Sequence, residues 1–432
     1  MILHNHLDIN NLGHLTIGGI DAVDLAKEYG TPAYILDEDV IRQNCRLYHK
    51  TLTRHFGAAA FPLFASKALC FTEIYRIAAE EKIGIDCVSA GELYTARRAN
   101  FPMERVYFHG NNKTDEDIKL ALDFKVGCFV VDNEDELVAL DNSARTRGIR
   151  QKILLRITPD VDPHTHQKIA TGKIDSKFGT AIATGQALQI VKKAIDLPNI
   201  DLAGIHAHIG SQIFDESPFI TAAEVMLDFI AEIHQKLSYT IRELNLGGGF
   251  AVRYIESDPV VDIEKNIAAI ASSIDRICAE RGIAKPKIMF EPGRSLVAAA
   301  GITLYTVGAV KEITGFKNYI SVDGGMTDNP RYALYQSKYT ALIANRGSQP
   351  KDYTATIAGR CCESGDLIAE DILIQKPQRG DILAVLVTGA YNYSMASNYN
   401  RIPRPPIVML KDGKSRIVVK RESLEDLVRL DV

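Results

Sequence analysis

The chain has 432 residues, 46% of them hydrophobic and 24% charged, with a formal net charge of -4. That length exceeds what one core ordinarily serves, so two domains are expected unless one is a barrel, and the composition excludes a disordered or fibrous chain. The slightly acidic balance offers no basic face for nucleic acid, and no apolar run reaches the length of a membrane span.

The N-terminal MILHNHLDINNLGHL lacks the cationic and apolar regions of a secretory signal, so a cytoplasmic protein is expected. Residues 21–29, DAVDLAKEY, read as a short helix with Gly30 as its C-cap, followed by TPAYILDE. From about residue 60 to 292, short apolar runs alternate with longer amphipathic stretches. The runs are AFPLFASKA, IGIDCVS, RVYFHG, VGCFVVDN, ILLRITP, LAGIHAHIGS, IRELNLGGG and PKIMFEPGRS. Most lack strict alternation, as strands buried on both faces do. Among the helices between them, one has Thr114 as N-cap with Asp117 in the capping-box position. Another has Ser217 as cap and Pro218 in its first turn.

Eight such units predict a (β/α)8 barrel, whose site gathers at the carboxyl ends of the strands. The polar and glycine residues fall at those ends: Lys67, Asp86, His109, His208, the Gly247–Gly249 run and Glu291. After residue 295 the texture turns to strand-like runs with turn residues between them, which predicts a β-rich sandwich or barrel domain. The expected division is a cofactor-binding barrel over 35–290 and a β-rich domain built from 1–34 and 291–432.

Several stretches carry chemistry. Lys67 ends an apolar strand, and its ammonium is either salt-bridged or snorkelling, or it is a Schiff-base amine. The bare amides of NLGGGF could cradle a phosphate or simply make a tight turn. EPGRS places Glu291 and Arg294 three apart, a carboxylate to face a pyridine nitrogen and a guanidinium to chelate an oxyanion. HAHIGSQ admits a metal pair, His206 and His208 on one strand face, which would need further histidines at later strand ends. Its other reading stacks His208 on an aromatic cofactor with Ser211 as a phosphate donor, and this one is favoured.

The seven cysteines form an odd, scattered set without CxxC or zinc-like spacing. Cys45, Cys70, Cys87, Cys128 and Cys278 are expected as buried small hydrophobes. A disulfide joining Cys361 to Cys362 would close a strained ring and is not expected. GRCCESGD at 359–366 therefore leaves open which thiol works beside Glu363.

Together FASKA, SAGEL, HGNNK, SKFG, HIGSQ, NLGGGF, EPGRS, DGGMTDNPRYALY, CESGD and TGAYNYSMASNYN, in this order along nearly the whole chain, resemble the fold-type III, alanine-racemase-like pyridoxal-phosphate decarboxylases. The chain departs from that pattern at Leu69, where the family commonly has Asn, and at Tyr332, where it has Pro. The resemblance implies that Lys67 holds the cofactor covalently and His208 stacks on its ring. It implies that Ser211, Gly248, Gly249 and the segment Glu291, Pro292, Gly293 and Arg294 bind it, with Tyr391 close by. Arg294, Arg331, Tyr335, Tyr391 and Glu363 are then expected to grip the substrate, and Cys362 to protonate its α-carbon. The expected substrate is meso-diaminopimelate and the product lysine, with ornithine, lysine or arginine decarboxylation as the alternative. In this family the CES segment enters from a second subunit, so a homodimer with shared sites is expected, without nucleic acid, membrane or metal.

Overall fold

The computed structural model describes residues 4–162 and 176–432. Two compact units emerge. The first comprises Asn44–Ala251 and Val261–Gly293. Its eight parallel strands are Phe61–Ala65, Gly84–Cys87, Val106–Phe108, Cys128–Val131, Gln151–Thr158, Ile200–His206, Glu243–Asn245 and Lys287–Phe290. Each pairs with the next, and the eighth returns to the first through Met289 opposite Phe61, so the sheet closes on itself. The (β/α)8 barrel is thus present, with every expected strand in place.

The strands read as apolar runs because the barrel buries both of their faces. Leu63, Tyr107, Cys128, Val130, Leu154, Ala203 and Met289, from six of the strands, form one buried cluster. Cys128 serves there as the small hydrophobe that its sequence context suggested. All seven cysteines are free, and of the five expected inside only Cys70 is partly exposed.

Local signals set the helices. The Thr114 hydroxyl accepts from the Asp117 N–H at 3.1 Å, while the Asp117 carboxylate accepts from the Thr114 N–H at 3.0 Å, completing the box. The long helix Ser217–Leu237 departs from expectation by one position: Glu216 is its N-cap, and the Asp215 carboxylate accepts from the Ser217 N–H at 3.1 Å. Ser217 is thus the first helical residue, its N–H satisfied by the acid two residues earlier.

The second unit comprises Met1–Gln43, Val252–Val260 and Arg294–Val432. Its long strand Gly301–Ile313 is antiparallel to Lys317–Val322, to Ile382–Leu386 and to the N-terminal strand Ala33–Asp37. Ala33–Asp37 pairs on its other side with Ile407–Lys411, so the N-terminal segment completes the β-rich sheet as expected. The preceding helix ends at Gly30, φ 69°, as its C-cap. Among the described residues no helix is long and apolar enough to cross a membrane.

One buried ion pair braces the barrel. Lys113 Nζ donates to Glu136 Oε1 at 2.8 Å, to the Val130 carbonyl at 2.9 Å and to the Gly110 carbonyl at 3.0 Å. It ties the loop after the third strand to the fourth strand and the following helix. Removing one partner strands the other charge in the interior. Glu136→Leu should therefore cost about 3–5 kcal/mol by urea unfolding, and Lys113→Met combined with it should recover most of the loss.

Candidate active site

The triple glycine is a steric requirement of the barrel mouth. A Cβ on Gly247 would sit 2.5 Å from the Ala207 carbonyl, one on Gly248 2.1 Å from that of Glu291, and one on Gly249 2.6 Å from that of Gly210. Gly247 and Gly249 also have φ of 70° and 126°, a region that side chains disfavour. The loop after the sixth strand is laced to this turn by the Ile213 N–H on the Gly249 carbonyl, at 3.0 Å, which places the Ser211 loop beside it. Within the run, the Gly248 N–H donates to His208 Nδ1 at 3.2 Å and the Gly247 N–H to Asn245 Oδ1 at 2.9 Å.

The EPG stretch packs backbone to backbone on the strand that delivers Lys67. The Ala65 N–H donates to the Pro292 carbonyl at 3.1 Å, and a Cβ on Gly293 would meet those of Ala65 and Ala68 at 2.9 and 3.1 Å. Lys67 follows in a short 3-10 turn, its side chain exposed while Ser66 and Ala68 are buried.

Glu291 is the electrostatic centre. Its carboxylate accepts from Asn245 Nδ2 at 2.8 Å and pairs with His206 Nε2 at 3.1 Å. His109 Nε2 stands 2.8 Å away, off the line of a hydrogen bond. Burial alone would raise this carboxyl, but the two imidazoles outweigh it and hold it well below the usual carboxylate range. Burial pushes His206 down to about 4 against the pull of Glu291. It also holds His208 well below its ordinary value, with the nearby Lys67 and Arg156 cations adding to it. His206 and His208 are thus neutral imidazoles near an ionised carboxylate. Asp86, wholly buried, is raised by the same desolvation, and its Oδ1 and His206 Nδ1 have no hydrogen-bond partner among the described residues.

His109, His206 and Glu291 bring their ligand atoms within 4.8 Å of one another. The sequence looked for partners of His206 at later strand ends. Barrel closure brings one from the earlier third strand. Composition gave no sign of this contact.

The other expected residues lie in the β-rich unit. Arg294 Nη1 donates to the Tyr254 hydroxyl at 2.6 Å, and its guanidinium stands 4.8 Å from the Tyr391 ring. Arg331 is buried, with its guanidinium 5.6–5.7 Å from the rings of Tyr254, Tyr335 and Tyr391. Its Nη2 donates to Ser337 Oγ at 3.1 Å, its Nε has no partner, and among the described residues no carboxylate pairs with it. Tyr339 packs edge-on against Tyr254 at 5.3 Å. The structure thus gathers Arg294, Arg331, Tyr335 and Tyr391 and adds Tyr254 and Tyr339, which no local motif marked.

Cys362 and Glu363 stand on a separate loop of the same unit. Cys362 and Glu363 are exposed, whereas Cys361 is buried and its thiol is pushed up to about 12 by burial and the adjacent Asp366. Of the two thiols only Cys362 is available for chemistry.

The barrel mouth offers an exposed amine, an ionised buried carboxylate, a neutral imidazole and a glycine turn that no side chain could enter. These donors fit pyridoxal phosphate, and the fold and donor set together define a barrel-type enzyme using that cofactor. The chain belongs to the pyridoxal-dependent decarboxylases, whose pyridoxal binding domain matches residues 38–298. Within that family it is similar end to end to diaminopimelate decarboxylases. It is 46% identical to the one from Bacillus subtilis (strain 168), over 100% of this chain and 98% of that one. The M. jannaschii diaminopimelate decarboxylase solved with L-lysine is 34% identical, with a TM-score of 0.92 over 100% of this chain and 99% of that chain. The Helicobacter pylori enzyme, also solved with L-lysine, is 31% identical, with a TM-score of 0.86 over 95% and 99% of the two chains.

The depressed His206 value has a measurable consequence. Folded, the imidazole titrates near 4, and unfolded near 6.5, so within that window the unfolded chain holds more protons. Its contribution to stability is whole above pH 6.5 and is lost as pH falls through the window to about 4. Urea unfolding between pH 7.5 and 4 should show a shallower acid-side decline in His206→Gln than in the native protein. An unchanged slope would mean that His206 is not buried neutral.

Proposed function

We propose that the protein decarboxylates meso-2,6-diaminopimelate to L-lysine and carbon dioxide, the last step of lysine biosynthesis, with pyridoxal phosphate as cofactor. The observation that carries this reading is Arg331, a buried guanidinium among tyrosines with an unpartnered Nε and no acid paired to it among the described residues. A buried cation in that state suits an anionic ligand group. Ornithine and lysine end in an ammonium alone, whereas diaminopimelate ends in an ammonium and a carboxylate.

When bound, pyridoxal phosphate supplies the electron sink that takes up the electron pair left by departing carbon dioxide. Lys67 provides the amine that anchors it. Glu291, kept ionised by its surroundings, is the residue to hold a proton on the pyridine nitrogen. His208 would stack against the ring, and Ser211, Gly248, Gly249 and the Pro292–Arg294 segment would hold the rest of the cofactor, with Tyr391 nearby. The Gly248 N–H is engaged by His208, so this glycine acts through its open backbone more than through a free amide. Arg294, Arg331 and Tyr335 take the distal carboxylate, Glu363 the distal ammonium. Cys362 Sγ gives its proton to the α-carbon, and solvent reprotonates the sulfur. General acid catalysis of this kind is worth roughly 10²–10⁴-fold.

Purified, cofactor-loaded protein should release carbon dioxide from meso-diaminopimelate and form lysine. Its kcat/KM on ornithine should be lower by about 10⁴-fold, because that substrate leaves a buried guanidinium unmatched. Equal or better turnover of ornithine would sink this reading and favour the sister decarboxylases.

The exposure of Cys362 and Glu363 on the single chain suits a cytoplasmic homodimer in which each subunit lends these residues to its partner's site. Lys67→Ala and Cys362→Ala proteins should each be nearly inactive. Mixed under conditions that exchange subunits, about half the dimers become hybrids with one native site, so activity should return to roughly a quarter of wild type. No recovery despite demonstrated hybrids would place both residues in one chain's site.

A further inference from the structure

We propose that Asp366, with Asn400 on the opposite side, is the positioning residue that clamps the Cys362–Glu363 loop in its working geometry, an inference that rests on the role of Cys362 given above. The sequence sets up the contrast. GRCCESGD carries two exposed reactive side chains between glycines, a composition that by itself would leave the loop loose. Its last residue, Asp366, is buried.

The carboxylate of Asp366 accepts from two backbone donors, one on each of its oxygens. Oδ2 takes the Cys361 N–H at 2.7 Å, and Oδ1 takes the Met326 N–H at 2.6 Å. One side chain thus ties the loop to the 323–327 segment. Backbone bonds close the turn around it: the Arg360 N–H to the Gly324 carbonyl at 2.9 Å, the Gly359 N–H to the Asp366 carbonyl at 2.9 Å, and the Asp366 N–H to the Glu363 carbonyl at 3.1 Å. Glycine makes this approach possible. A Cβ on Gly325 would lie 2.5 Å from a carboxylate oxygen of Asp366, and one on Gly359 2.2 Å. From the other side, the Cys362 N–H donates to Asn400 Oδ1 at 2.8 Å. The N–H groups of Cys361 and Cys362 are therefore both engaged, one by each clamp.

A carboxylate is required because both groups facing it are donors. An asparagine of the same shape would turn its NH2 toward one of them, leaving that N–H unsatisfied and pushing the loop away. A shift on the order of 1 Å at a proton donor costs about 10²-fold in rate.

The test uses kcat at saturating diaminopimelate in the cofactor-loaded enzyme, so that Glu363 effects on KM fall out. Asp366→Asn should lower kcat by about 10²-fold while the bound cofactor's visible absorption and the melting temperature stay close to wild type. The double variant Asp366→Asn/Cys362→Ala should be within about twofold of Cys362→Ala alone, because Asp366 acts only through the loop. Deficits that multiply, or a single variant with native kcat, overturn the inference. Native kcat in Cys362→Ala sinks the proton-donor reading itself, a result visible without any Asp366 variant, and takes this inference with it. If Asp366→Asn does not fold, the same comparison runs with Asn400→Ala, whose side chain lies on an exposed turn. It should show the same non-additivity with Cys362→Ala, and multiplying deficits there likewise overturn the clamp.

Discussion

A carboxylate at the end of the eighth barrel strand, wholly removed from water, would ordinarily take up a proton. Glu291 does not, because barrel closure surrounds it with the amide of Asn245 from the seventh strand, His206 from the sixth and His109 from just after the third. The desolvation penalty on a lone carboxylate is several kcal/mol, so these neighbours are a condition of the site. They also account for the polar residues at successive strand ends. His206, kept neutral by burial, donates to the carboxylate without adding a full positive charge. Glu291 in turn holds the backbone in register. Its N–H bonds the Gly247 carbonyl at 2.8 Å, and its own carbonyl is why Gly248 tolerates no Cβ.

The β-rich unit solves the opposite problem. Arg294 and Arg331 are buried cations, and tyrosine rings take the place of acids around Arg331. Ring faces attract a guanidinium by about 0.5–2 kcal/mol without neutralising it. An aspartate in the same place would have consumed the charge. The tyrosine rings hold the guanidinium by their faces and leave its charge unneutralised.

Much of this was legible in the sequence, for identifiable reasons. Strands buried on both faces cannot alternate, so the barrel announced itself as eight apolar runs, and the site residues stood out as polar exceptions at their ends. Thr114 and Asp117 formed their capping box because that bond is local and three residues long. The cap at Ser217 was misplaced by one position because Asp215, two residues earlier, takes the Ser217 N–H and the helix begins at Ser217 itself, with Glu216 as cap. What sequence could not supply was contact across the closed barrel. His109 and His206 are 97 positions apart, and nothing in either stretch announces that they share Glu291. Tyr254 and Tyr339 were missed for the same reason: each lies in a stretch without a motif, and only the fold brings their rings together.

The two adjacent thiols show how one buried acid can divide identical chemistry between neighbours. Cys361 and Cys362 share a side chain and differ by one position, yet one is inert packing and the other stands in solvent. Burial beside Asp366 makes ionisation of Cys361 unfavourable, and the same carboxylate takes the Cys361 N–H. The backbone bonds finish the separation, because Cys361 is held by Asp366 while the Cys362 N–H is drawn to Asn400 Oδ1 on the other side. Cys361 is thereby buried and Cys362 left exposed. A second cysteine in the motif is then no redundancy in function. It is a small apolar anchor that sits, buried, against the carboxylate that holds the loop.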